Sequence, residues 1–102
     1  MNGKQKERQK RHSRLRSKRM SCARAKASHT FQEWEALRSK ANGVCPRCLR
    51  ETRRLQKDHI TPIYMGGSDG VDNLQPLCML CNNRKKDESI DWMKVRGLRD
   101  GD

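Results

Sequence analysis

The sequence predicts a small α+β fold, two strands and a closing helix gathered around four cysteines, with a further helix and a basic arm in front. Three observations predict it. Two tight cysteine pairs, Cys45-Pro-Arg-Cys48 and Cys78-Met-Leu-Cys81, bracket the middle of the chain. Between them, two short runs of strand character flank a glycine-rich loop, Met65-Gly66-Gly67-Ser68-Asp69-Gly70. Ahead of the first pair, Thr30-Phe31-Gln32-Glu33 forms a capping-box pattern that opens an apolar stripe at helical spacing.

The elements follow in order. Residues 1–27 read as a basic arm, disordered or loosely helical: from Lys4 to Lys26, Glu7 is the sole acid, and Leu15, Met20 and Cys22 are the sole sizeable apolar side chains. Such a segment has little to bury against the entropy cost of ordering. A folded domain spans 28–95, and 96–102 is a tail that should fray. The first helix should run to about Ala41, with Phe31, Trp34, Leu37 and Ala41 on one face and Asn42-Gly43 as a left-handed stop. His29, just before the cap, is expected to face solvent. Arg50 to Arg54 reads as an exposed turn. Leu55 to Ile60 is the first strand, carrying Asp58 and His59, and Pro62 blocks further pairing. Val71 to Leu77 should return as the second strand, and the second cysteine pair then opens a helix over Asn82 to Lys86. Ile90, Trp92 and Val95 should pack outside this unit.

At 102 residues, 35% charged and 32% hydrophobic, with one Phe, one Tyr and two Trp, the chain cannot bury a large core. Domains of this size commonly need a metal, disulfides or a partner. Paired Cys-x-x-Cys knuckles place four thiolates at the corners of a tetrahedron, the geometry of closed structural zinc sites. Structural zinc contributes roughly 10–16 kcal/mol in small peptides. Disulfide pairing is the competing reading, disfavoured by the absence of a signal-like apolar run, which points to the cytoplasm as the chain's location. With Cys45, Cys48, Cys78 and Cys81 completing the zinc quartet, Asp58-His59, Asn73 and Asn82 are left for a second, oxygen-rich site.

Lys and Arg total 24 against 12 Asp and Glu, a formal charge of +12. Such a field attracts polyanions, and nucleic acid is the expected partner, because clustered cations displace condensed counterions from phosphates. A membrane role would need an apolar helical face beside the charge, which the arm lacks. The arm is therefore read as lying along phosphates, with a solubilising tail or targeting signal as the alternative. Cys22 and His12 have no partner at ligand spacing.

Taken together, Cys45-x-x-Cys48, Asp58-His59-Ile60-x-Pro62, Gly66-Gly67-Ser68-Asp69, Asn73-Leu74-Gln75-Pro76-Leu77-Cys78-x-x-Cys81-Asn82 and Lys85 resemble the zinc-containing, four-cysteine branch of the HNH endonuclease family, of phage and bacterial type, whose fold is called ββα-metal. The resemblance covers roughly residues 30 to 92. Its motifs occur in the family's order, with Asn73 fourteen positions after His59 and Asn82 nine after Asn73. It implies metal-dependent cleavage of DNA phosphodiesters, nicking or cutting both strands, with the zinc purely structural.

Hydrolysing a phosphodiester needs a base for water, a cation for developing charge and an in-line arrangement of attacking and leaving oxygens. Histidine is the side chain whose ordinary range lies near neutrality, which makes His59 the natural base. The resemblance implies that Asp58 and Asn82 hold one divalent cation, although a regular pleat sends Asp58 and His59 to opposite faces. It further implies that Asn73 braces the loop through backbone hydrogen bonds; an ordinary turn asparagine is the alternative. Asn82 stands where the family often has His, and hard oxygen ligands favour magnesium or manganese. Lys85 matches a basic family position, and Arg84 and Lys86 flank it, so all three are expected at phosphates, against the plainer reading of a solvated helix face. Two further readings stay open: a zinc-stabilised DNA-binding module without turnover, and a subunit active only with protein partners in a phage or bacterial DNA-processing assembly.

Overall fold

The computed structural model describes residues 16–99. Helix α1 occupies 16–26, where Ala23, Ala25 and long basic side chains favour helix. Met20 and Ala23 lie one turn apart on its inner side; Met20 is half-buried and Ala23 is buried. This helix packs on the glycine-rich loop: the Lys26 ammonium donates to the Gly66 carbonyl at 2.6 Å, and the Asp69 backbone N–H lies 3.1 Å from the Ala27 carbonyl and 3.3 Å from that of Ala23. Residues 1–15 of the expected arm lie outside the described residues, as do 100–102 of the tail.

Helix α2, Phe31–Lys40, starts with both halves of the capping box: the Glu33 N–H donates to the Thr30 hydroxyl and the Thr30 N–H to the Glu33 carboxylate. It stops at Asn42 and Gly43, whose φ angles of 51° and 74° are left-handed. Trp34, Leu37 and Ala41 face inward, but Phe31 is 72% exposed. The expected stripe is thus one turn shorter, because at the first helical position Phe31 precedes the part of α2 that meets the sheet.

The sheet has two antiparallel strands, β1 Gln56–His59 and β2 Leu74–Leu77, with Gln56 opposite Leu77, Asp58 opposite Gln75 and His59 opposite Leu74. Both strands are shorter than the sequence predicts. A 3₁₀ turn, Val71–Asn73, takes the first part of the expected second strand. All of β2 is buried. Leu74 joins Trp34, Leu37, Ala41 and Met93 in one cluster, and Leu77 joins Cys45, Cys78 and Cys81 in another, with Leu55 packed against both. The strand therefore cements the helical half to the cysteine half.

Helix α3, Met79–Arg84, is capped by the Cys78 sulfur, which accepts from the Cys81 N–H, and α4, Trp92–Val95, is capped by Asp91. Met93 is the wholly buried residue of α4, whereas Ile90 and Val95 are 42% and 58% exposed. The C-terminal segment is held as far as it is described: Arg96 donates to the Pro46 carbonyl at 2.8 Å, and Arg99 donates to Asp91 and to the Leu74 carbonyl, both at 2.5 Å. Among the described residues, no helix is long and apolar enough to cross a membrane.

Candidate active site and metal centre

The two knuckles bring four sulfurs together. Sγ atoms of Cys45, Cys48, Cys78 and Cys81 lie within 4.8 Å of one another, and Cys48 and Cys78 are 3.7 Å apart. A tetrahedron with zinc–sulfur bonds of about 2.3 Å has edges of roughly 3.8 Å, so the quartet fits zinc. Backbone N–H groups point at the sulfurs, Cys78 N to Cys45 Sγ at 3.4 Å and Cys81 N to Cys78 Sγ at 3.5 Å. All the cysteines are free thiols, Cys48 alone of the quartet being exposed. Burial pushes the Cys81 thiol up to about 12, so a cation is needed to hold the thiolate at neutral pH. Among the described residues, no other group of three or more His, Cys, Asp or Glu is close enough to share an ion.

A separate cleft of about 290 Å³ opens between β1 and α3, lined by Lys57, Asp58, His59, Asn82 and Lys86 among others. Asp58 is 5% exposed, and its Oδ2 accepts from Gln75 Nε2 at 2.9 Å and Lys85 Nζ at 3.0 Å. Gln75 also bonds the Ile90 carbonyl and the Trp92 N–H, anchoring the carboxylate to the segment before α4. Asn82 donates to Gln56 Oε1 at 3.1 Å, which leaves its amide oxygen without a donor among the described residues. His59 also lines this cleft, and its Nε2 lies 2.8 Å from Asp69 Oδ1 on the glycine-rich loop.

Asn73 ties that loop to the end of β1. Its Oδ1 accepts from Thr61 N at 2.9 Å, and its Nδ2 donates to the Thr61 carbonyl at 3.0 Å and the Ser68 carbonyl at 2.7 Å. Gly67 makes this crossing possible, since a Cβ there would sit 1.9 Å from the Thr61 oxygen.

Two residues stand elsewhere than the sequence indicated. Lys85 is 7% exposed, and its ammonium donates to Asp58 Oδ2, the His59 carbonyl at 2.7 Å and the Ile60 carbonyl at 3.1 Å. It points inward because α3 lies across the end of β1, leaving Arg84 and Lys86 exposed. His29 is turned inward, Nδ1 2.7 Å from the Asp69 carbonyl oxygen and Nε2 2.7 Å from Lys57 Nζ. Sequence reasoning placed Asp69 in the glycine-rich motif but gave it no role, and that position gave no hint that two histidines converge there.

Two antiparallel strands, a closing helix and a four-cysteine metal site make this a ββα-metal fold. The HNH endonuclease family model matches residues 45–88, from the first knuckle to Glu88, and the four cysteines placed to bind a metal are consistent with the zinc-containing branch of that family. No curated protein matches the chain closely enough to count as a relative.

Proposed function

We propose that the protein is a metal-dependent endonuclease that hydrolyses DNA phosphodiester bonds. The observation that carries this reading is that Asp58, His59 and Asn82 line one open cleft while the cysteines close a separate site. A carboxylate and an amide oxygen beside open solvent are a donor set suited to a hard, largely hydrated cation such as magnesium or manganese. Among the described residues, both bonds to the Asp58 carboxylate fall on Oδ2, so Oδ1 is the oxygen offered to such an ion. Bound there by Asp58 and Asn82, the ion would supply charge stabilisation at a phosphate oxygen and the 3′ leaving oxygen.

His59 acts as the general base. It takes a proton from water as the water oxygen attacks phosphorus, the bond from phosphorus to O3′ breaks, and the departing oxygen is protonated from solvent. The products carry 5′ phosphate and 3′ hydroxyl ends. Asn73 holds the loop against the strand that bears His59. Exposed Arg84 and Lys86 contact phosphates, along with the exposed cations of α1.

Supercoiled plasmid incubated with the protein and magnesium or manganese tests this reading. His59→Ala should keep zinc and DNA affinity and lose cleavage. Equal nicking by both proteins would remove His59 from the mechanism, and no nicking by the parent with any divalent cation would favour a DNA-binding module or a subunit that needs its assembly.

A further inference from the structure

We propose that Asp69 is the positioning residue of His59, and that α1 clamps it in place, so that the base is aimed by the arm as well as by the ββα unit. This rests on the nuclease reading of His59. The Asp69 carboxylate is nine-tenths buried and, among the described residues, has one close partner, the His59 ring, at 2.8 Å. A carboxylate can only accept, so Nε2 carries the ring proton and Nδ1 carries the lone pair that takes a proton from water. The other charges around Asp69 are weaker candidates for its purpose: Arg24 Nε stands at 3.8 Å with its side chain 65% exposed, and His29 Nδ1 is 3.6 Å from Oδ2.

Everything else about Asp69 fixes its backbone. Its N–H is shared between the Ala23 and Ala27 carbonyls at the end of α1. Its carbonyl accepts from His29 Nδ1, whose tautomer is set by Lys57 donating to Nε2. The next residue, Gly70, packs so tightly on Ala27, just after α1, that an added Cβ would lie 2.7 Å from the Ala27 Cβ. A residue serving only as a loop ion pair would need none of this main-chain clamping. The arrangement places the arm's last turn, the His29 ring and the base in one hydrogen-bonded series.

Two readouts test this, one independent of turnover. Long-range ¹H–¹⁵N spectra of the ring nitrogens, assigned with His59→Gln, should show His59 as the Nε2–H tautomer in the parent and a mixture in Asp69→Ala. A parent held as the Nδ1–H tautomer overturns the proposal, whether or not the protein cleaves DNA. In cleavage at saturating DNA, Asp69→Ala should slow the reaction on the order of 10- to 100-fold with DNA affinity and zinc content unchanged. Asp69→Asn keeps an acceptor oxygen and the same shape, so it should fold and recover most of the rate. Asp69→Ala cleaving like the parent, or Asp69→Asn as slow as Asp69→Ala, also overturns it. His59→Ala cleaving like the parent defeats the nuclease reading instead and leaves the tautomer measurement to decide the geometry.

Discussion

Replacing Lys85 by Met asks whether its ammonium serves the fold or the nucleic acid. Lys85 and Asp58 side chains are each 5% exposed, and the ammonium spends its three protons on Asp58 and two consecutive main-chain carbonyls. Met fills similar space but donates nothing, so among the described residues a buried carboxylate is left with Gln75 alone. Breaking a buried pair on one side costs about 3–5 kcal/mol. At about 4–8 °C per kcal/mol for a domain of this size, the melting temperature should fall by about 12 °C or more. Calorimetry of the zinc-loaded protein measures that, and DNA binding across a salt series supplies the contrast. A phosphate contact would lower the salt slope by about one. A melting temperature unmoved by Lys85→Met, together with a reduced slope, would refute the inward-pin reasoning. Adding Asp58→Asn should restore part of the lost stability, because no charge then remains buried without its partner.

Other perturbations have equally definite outcomes. A zinc chelator should unfold the domain, seen as loss of tryptophan fluorescence structure and far-ultraviolet dichroism and reversed by added zinc, because the knuckles are what join Cys45 and Leu77 in one cluster. Gly67→Ala should cost about 1–3 kcal/mol in urea unfolding, since its Cβ would meet the Thr61 oxygen at 1.9 Å and the Asn73 amide at 2.9 Å. Glu88 receives hydrogen bonds from Arg47 and Trp92, and Arg47 above all holds its carboxyl below the usual carboxylate range. A depressed folded value means that its contribution is complete above the ordinary carboxylate range and is lost as the pH falls through the lowered value. Parent and Glu88→Gln should therefore differ in melting temperature at neutral pH and converge in acid.

What the sequence discloses here is what is local. Thiol pairs at knuckle spacing, the Thr30 and Glu33 cap, and the order of strand, loop, strand and helix are each written within a few residues, and the ββα-metal fold follows from them. Lys85 was opaque because its neighbours Arg84 and Lys86 share its chemistry, and the crossing of α3 over β1 alone decides which cation points inward. Asp69 and His29 were opaque for a related reason. Their partners lie 10 and 40 residues away, brought near by the folding of the glycine loop, and a basic stretch such as 16–26 gives no sign of where it will dock. Phe31 shows the converse failure, a correct helical phase with nothing opposite to bury it.

Exposure is unevenly distributed over the sulfur tetrahedron. Three corners are enclosed by Leu55, Leu77 and Trp92, while Cys48 faces water. Oxidants and competing chelators would thus meet one sulfur, that of Cys48, first. Cys48 is also the sulfur standing 3.7 Å from Cys78, so in the zinc-free protein an oxidant that removes two electrons and two protons would let a shift of roughly 2 Å close a disulfide between the knuckles, which would bar zinc from returning until a reductant reopened it, whereas under reducing conditions zinc would return freely.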